Sequence, residues 1–223
     1  MFSTKNYTIY ILSMLSLIIL CYFTIDREVS LYFIEHSDTF KLIGKKISII
    51  GESHWYIIIA ILGAMYFTFV KKNSLYMQRF IFLLYANLFS GLISLISKLF
   101  FGKLRPWKLE NGGDGFGFLF FQNPDFTFMQ NINYQITMLL KDSTHYTSFP
   151  SGHSTTTVAV FTYMVLLFPK YTYVWSIVAL VGLSGRILAN DHFISDILAG
   201  ALVGSLATLY IYNKMKEKLV KNS

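Results

Sequence analysis

Apolar runs about as long as a bilayer is thick recur along this chain, and few folds accept them. A helix crossing the hydrocarbon core needs roughly 20 mostly apolar residues. Residues 7–25, 54–70, 77–96, 151–168, 171–188 and 192–212 each come near that length. Inside lipid every backbone N–H and C=O must find a partner within its own segment or a closed barrel, so such runs fold as helices. Composition agrees: 54% of the residues are hydrophobic and 14% charged, where a soluble domain carries about a quarter charged. The expected fold is an all-α integral membrane protein, a bundle of six transmembrane helices forming one domain over 1–223, with a long extracytoplasmic loop between the third and fourth.

The net charge of +7 would suit nucleic acid in a soluble protein. Here it is accounted for otherwise, and no nucleic-acid partner is expected. Lys5, Lys71, Lys72, Arg79, Lys170, Lys214, Lys216, Lys218 and Lys221 fall on one side of a six-span arrangement. That side is cytoplasmic by the bias of Lys and Arg in short loops, and both termini lie there. Residues 26–52 fall on the other side, mix cations with acids, and suit a helix lying along the surface. Cys21 is the single cysteine, so no intramolecular disulfide exists. The first run lacks a small-x-small cleavage site and reads as a retained span. Residues 107–149 form the longest connection, with Gly112, Gly113, Gly115 and Gly117 among phenylalanines, and read as an interfacial loop.

Three polar clusters interrupt the apolar pattern, all on the outer side. Lys98, Arg105 and Pro106 follow the third run. Pro150, Ser151, Gly152 and His153 open the fourth. Arg186, His192 and Asp196 lie at the junction of the fifth and sixth. Ionisable groups within a membrane bundle mark function by default. Three converging cations, two of them planar arginine forks, suit an anion with several oxygens. Ser151 and Gly152 at a helix N-terminus add free N–H groups and the positive end of the dipole. His192 and Asp196 are spaced i, i+4 and share a helix face, so the carboxylate orients the imidazole and leaves one nitrogen free to attack. His153 is a second histidine, suited to protonate a leaving oxygen. An anion cradle, an oriented nucleophile and a separate acid match phosphoryl transfer through a phosphohistidine.

The three clusters resemble the signature of the type 2 phosphatidic acid phosphatase superfamily: K-x6-R-P, P-S-G-H and S-R-x5-H-x3-D. The match runs from Lys98 to Asp196, with Gly185 standing where the pattern has serine. The resemblance implies a six-helix fold and hydrolysis with no metal or cofactor. It implies His192 as nucleophile, Asp196 as its partner and His153 as general acid. Lys98, Arg105, Ser151, Gly152 and Arg186 are implied as phosphate ligands. Members act on phosphatidate, phosphatidylglycerol phosphate, undecaprenyl pyrophosphate, lipid A phosphates and sugar phosphates, and soluble relatives hold vanadate and oxidise halides. The expected partner is a phosphorylated lipid of a bacterial inner membrane, met at the periplasmic face. A lipid phosphotransferase with the same site, a vanadate haloperoxidase, and a transporter or anion channel are the alternatives.

Other residues take plainer readings. Lys103 and Lys108 lack a motif position and read as interfacial anchors or headgroup contacts. Asp191 reads as the N-cap of the last helix. His36, His54 and His145 read as interfacial, as do Trp55, Trp107 and Trp175. Gly200 and Gly204 form a small-xxx-small pair for helix packing.

Overall fold

The computed structural model describes residues 4–110 and 116–219, so Gly112, Gly113, Gly115 and Lys221 lie outside the described residues. Every named element among the described residues is helical. Among the described residues, five stretches are long and apolar enough to cross a membrane: Lys5–Thr24, Phe40–Phe69, Ser74–Phe101, Pro169–Leu188 and Ile194–Leu219.

The first is α1 (Thr4–Thr24). Residues 26–52 are two helices rather than one along the surface, α2 (Asp26–Glu35) and α3 (Ser37–Ser48). A 3₁₀ turn, Ile49–Gly51, leads on to α4 (Ser53–Phe69), so the apolar stretch from Phe40 is bent at Gly51 and Glu52. A short turn joins α4 to α5 (Ser74–Phe101), capped at its start by the Asn73 side chain and at its end by Gly102 in a left-handed conformation.

The connection at 107–149 is folded. It holds α6 (Trp107–Glu110), α7 (Phe128–Lys141) and α8 (Ser143–Tyr146). Thr127 and Gln130 form a reciprocal capping box at the start of α7. Leu140 and Phe128 project outward from α7, 84% and 67% exposed, while Gln135 turns inward and donates to the carbonyls of Leu99 and Phe100 at the end of α5. This gives α7 one apolar face free to meet lipid and one polar anchor on the bundle.

The fourth apolar run becomes α9 (Gly152–Leu167), only 16 residues long and enclosed by α5, α10 and α11. After it come α10 (Thr172–Leu188) and α11 (Ile194–Leu219). Between helices in lipid, close packing replaces the hydrophobic drive, so small residues set the contacts. A Cβ on Gly204 would lie 2.3 Å from the Thr155 carbonyl oxygen, and one on Gly200 would lie 2.5 Å from that of Ser151. These two glycines pack α11 onto α9 within the chain. Ile18 packs α1 on Ala199 and Leu202, and the Tyr10 hydroxyl meets that of Ser205 at 2.8 Å. At the other end of the bundle Phe82, Leu83 and Ala86 pack with Ala60, Val160, Tyr163, Met215 and Leu219.

Candidate active site

The polar residues of the three clusters meet at one end of the bundle, where α5 and α10 end and α9 and α11 begin. Lys98 lies in the last turn of α5, and its ammonium donates to the Thr147 carbonyl at 2.9 Å. The chain then runs as a strap outside any helix from Lys103 to Arg105, held on both sides. Leu104 and Leu119 donate to Gly117 and Gly102 on one side, and Arg105 and Ser148 bond His145 and Lys103 on the other. This strap aims Arg105 at the site.

Ser151 caps α9, and its hydroxyl oxygen accepts from the Ser154 N–H at 3.4 Å and the Ser154 hydroxyl at 3.0 Å. Its own N–H donates to the Asp196 carbonyl at 2.9 Å, tying the starts of α9 and α11 together. Gly152 is the first residue of α9 and His153 the second. Both histidines, His153 and His192, feel the charges of Arg186, Lys98 and Arg105. The structure therefore brings together all eight residues singled out in the sequence.

Arg186 is buried, and its Nη2 lies 3.0 Å from an Asp191 carboxylate oxygen. Asp191 is thus a brace for Arg186, not the N-cap of α11, which begins three residues later. The Nε atoms of Arg105 and Arg186 are buried with no hydrogen-bond partner. Buried charged donors left unpaired are costly, and a site built to receive an anion is a physical reason to keep them.

Asp196 is fully buried. One carboxylate oxygen, Oδ1, accepts from Lys103 Nζ at 2.7 Å. The other, Oδ2, accepts from the Ser148 hydroxyl at 2.6 Å and the Phe193 N–H at 3.0 Å. His192 Nδ1 lies 3.7 Å from Oδ2 and 3.4 Å from the Ser148 hydroxyl. The carboxylate and Ser148 together face Nδ1 and leave Nε2 as the free nitrogen. Burial holds the His192 imidazole well below its ordinary pKa, so it is neutral.

Lys103 corrects the sequence reading. It is no interfacial anchor: its side chain is fully buried, 2.7 Å from Asp196, 2.8 Å from the Ser195 hydroxyl and 3.3 Å from Asp26. Five rings surround the ammonium, the nearest being Phe193 at 4.6 Å and Tyr22 at 5.0 Å to the centroid. Asp26, at the start of α2, also binds the Ser195 N–H and hydroxyl. Sequence reasoning missed Lys103, Asp26 and Ser148. Only for Lys103 was there a signal: in an extended strap, positions 103 and 105 share a face.

The remaining histidines have local partners. His145 pairs with Asp142, and its ring lies 5.2 Å from that of Trp107. Trp107 therefore belongs to the folded connection, with the Arg105 guanidinium 5.6 Å from its ring, rather than to a membrane belt. His54 lies 3.4 Å from Glu52, and His36 bonds the Tyr32 carbonyl.

Gly185, where the motif has serine, is explained by packing. A Cβ there would lie 2.9 Å from Ile47 Cγ2, 3.0 Å from the Ser48 nitrogen and 3.1 Å from the Gly44 oxygen. Gly44 on α3 has the reciprocal contacts on Ala189 and Gly185. Helices α3 and α10 thus touch backbone to backbone beside Arg186.

A groove of about 700 Å³ leads from this site. Lys98, Gly152 and His153 line its polar end, and Ile57, Leu88 and Leu92 its apolar end between α4 and α5.

Known proteins similar in sequence to this chain include three bacterial lipid A phosphatases. A lipid A 1-phosphatase of Rhizobium etli is 29% identical over 186 residues, covering 77% of this chain and 71% of that protein. A second lipid A 1-phosphatase, from Rhizobium johnstonii, is 28% identical, covering 76% of this chain and 65% of its own length. A lipid A 4'-phosphatase of Porphyromonas gingivalis is 31% identical, covering 72% and 61%. No solved structure gives a significant match. The model of the PAP2 superfamily matches residues 79–219, from the first third of α5 to the end of α11 and so across the whole site. The chain belongs to the PAP2 superfamily.

Proposed function

We propose that this protein, a membrane lipid phosphatase by its family, releases phosphate from a phosphorylated lipid through a phosphohistidine on His192. The carrying observation is the pair of arginines, Arg105 and Arg186, whose buried Nε donors have no partner, beside a neutral histidine oriented through Nδ1. His192 Nε2 attacks phosphorus while the bond from phosphorus to the lipid oxygen breaks. His153 gives that oxygen its proton. The charge on the phosphoryl oxygens is met by Lys98, Arg105, Arg186 and the N–H groups at the start of α9, with Ser151 and Gly152 shaping that cradle. Water then attacks phosphorus, the P–N bond breaks, and His153 takes a proton from the water. Cations occupy the places where a metal would otherwise neutralise charge, and the reaction is proposed to be metal-independent.

The topology proposed is six spans, with α9 as the sixth beside the five long stretches. At 16 residues it rises about 24 Å, short of a bilayer core, but it starts at the buried site rather than at the surface. The site then opens on the outer face of a bacterial inner membrane, with both termini in the cytoplasm. Lys71 and Lys72 between α4 and α5, Lys170 before α10, and Lys214, Lys216 and Lys218 near the end of α11 support that orientation. The groove between α4 and α5 suits a lipid whose chains remain in the bilayer. The names of the three relatives make lipid A the first substrate to try.

The test is phosphate release in EDTA by purified protein and its His192→Ala variant. Lipid A, phosphatidylglycerol phosphate, phosphatidate and undecaprenyl pyrophosphate would be compared. Release by wild type only is expected. Equal release by the variant would sink the mechanism, and release only with an added lipid acceptor would indicate phosphotransfer.

A further inference from the structure

Ser94 lies on α5 one turn before Lys98 and is 3% exposed. A serine inside a helix ordinarily satisfies its hydroxyl on a carbonyl of the preceding turn. Ser97 does so on Ile93 at 2.8 Å, and Ser90 on Asn87 at 3.2 Å. Ser94 does not: its Oγ is buried without a partner. The position of that oxygen explains why. A Cβ placed on Gly152 would lie 4.0 Å from Ser94 Oγ and 4.0 Å from Lys98 Nζ. The hydroxyl and the ammonium therefore flank the same face of the first residue of α9, and both line the groove that exposes His153.

We propose that Ser94 is a further ligand of the substrate phosphate, donating its hydroxyl to a phosphoryl oxygen beside Lys98. The proposal rests on the phosphatase reading and adds a contact outside the three motifs. Ser151 already accepts two hydrogen bonds from Ser154, and Gly185 carries no side chain. Ser94 thus brings a directed donor from the α5 side without adding charge to three cations. A hydrogen bond to a charged group, once lost, lowers kcat/KM by about 10- to 100-fold.

The experiment compares wild type, Ser94→Ala and Ser94→Thr, which keeps the hydroxyl. Kinetics on the best lipid are read alongside the thermal stabilisation of each protein by inorganic phosphate and by orthovanadate, which needs no turnover. Ser94→Ala should lose about 10- to 100-fold in kcat/KM. It should need correspondingly more anion for the same stabilisation, keep its anion-free melting point, and regain most of the loss as threonine. Unchanged kinetics and anion response in Ser94→Ala would overturn the proposal. So would a lower melting point with an unchanged anion response, which marks a structural serine. Should wild type release no phosphate while anions stabilise it and not Ser94→Ala, the hydrolytic reading falls and the Ser94 contact stands.

Discussion

Replacing Lys103 by methionine tests the buried network most sharply. The side chain stays linear, becomes one atom shorter and loses its charge. Two carboxylates then face each other without a cation: Asp196, which was 2.7 Å from Nζ, and Asp26, which was 3.3 Å away, both fully buried. Removing one partner from a buried ion pair costs about 3–5 kcal/mol. At about 2–4 °C per kcal/mol for a chain of this size, the melting midpoint falls by roughly 6–20 °C. The deficit depends on pH with a definite sign. Burial pushes the Asp26 carboxyl up, and Lys103 pulls it back down. Without Lys103 the upward push of burial, joined by the Asp196 charge, is opposed only by the Ser195 hydrogen bonds. A carboxyl raised above its unfolded value contributes stability below that value and loses it as pH rises through the folded one. Lys103→Met should therefore lie closest to wild type near about pH 5 and furthest from it near about pH 8. Adding Asp26→Asn should recover part of the loss and flatten the pH dependence. The assay is thermal unfolding in detergent at both pH values, with lipid phosphate release alongside. A variant that melts with wild type at both, or a deficit that widens as pH falls, would refute the reasoning.

Three further outcomes are expected. His192 attacks as the neutral imidazole and burial holds its pKa well below 6.5, so activity survives as pH falls through 6.5. A pH profile of kcat/KM, corrected for substrate ionisation, with an acid limb at or above 6.5 would contradict this. Gly185→Ser restores the motif serine but drives a side chain into α3, and should destabilise by about 1–3 kcal/mol in a thermal melt. A gain in phosphate affinity at unchanged stability would show that the serine fits. Gly204→Ala should lower the melting point, since its Cβ meets backbone at 2.3 Å, whereas Gly91→Ala, with nothing within 4 Å, should hold or raise it by the helix propensity of alanine, up to about 1 kcal/mol. Equal melting points for the two would remove Gly204 from the packing argument.

Hydropathy and motif spacing carried far in this chain because both report local physics. An apolar run of 20 residues has few conformations open to it in lipid, so α1, α5, α10 and α11 were legible before any coordinates. The spacing of His192 and Asp196 marked them as partners, but not on one helix face as expected: α11 begins at Ile194, and the bend before it sets His192 Nδ1 3.7 Å from Asp196. Cations at span ends have an electrostatic cost that function must justify, so Lys98, Arg105 and Arg186 stood out. Tertiary structure decided what depends on neighbours distant in sequence. Lys103 reads as an anchor by its own surroundings. Only the return of α2 and α11 to the strap, 77 residues before it and 93 after it, makes it the buried partner of Asp26 and Asp196. Asp191 looked like a cap until the left-handed turn at Asn190 set its carboxylate against Arg186. The absent serine at Gly185 became intelligible only once α3 was seen against α10. The 107–149 connection hid α7 because its apolar residues divide between an exposed side, Phe128 and Leu140, and a side that packs Tyr134, Met138 and Leu139 on Leu104, Leu119 and Tyr146. Single residues and short spacings tell what each side chain can do, and packing between distant segments decides which of those things it does.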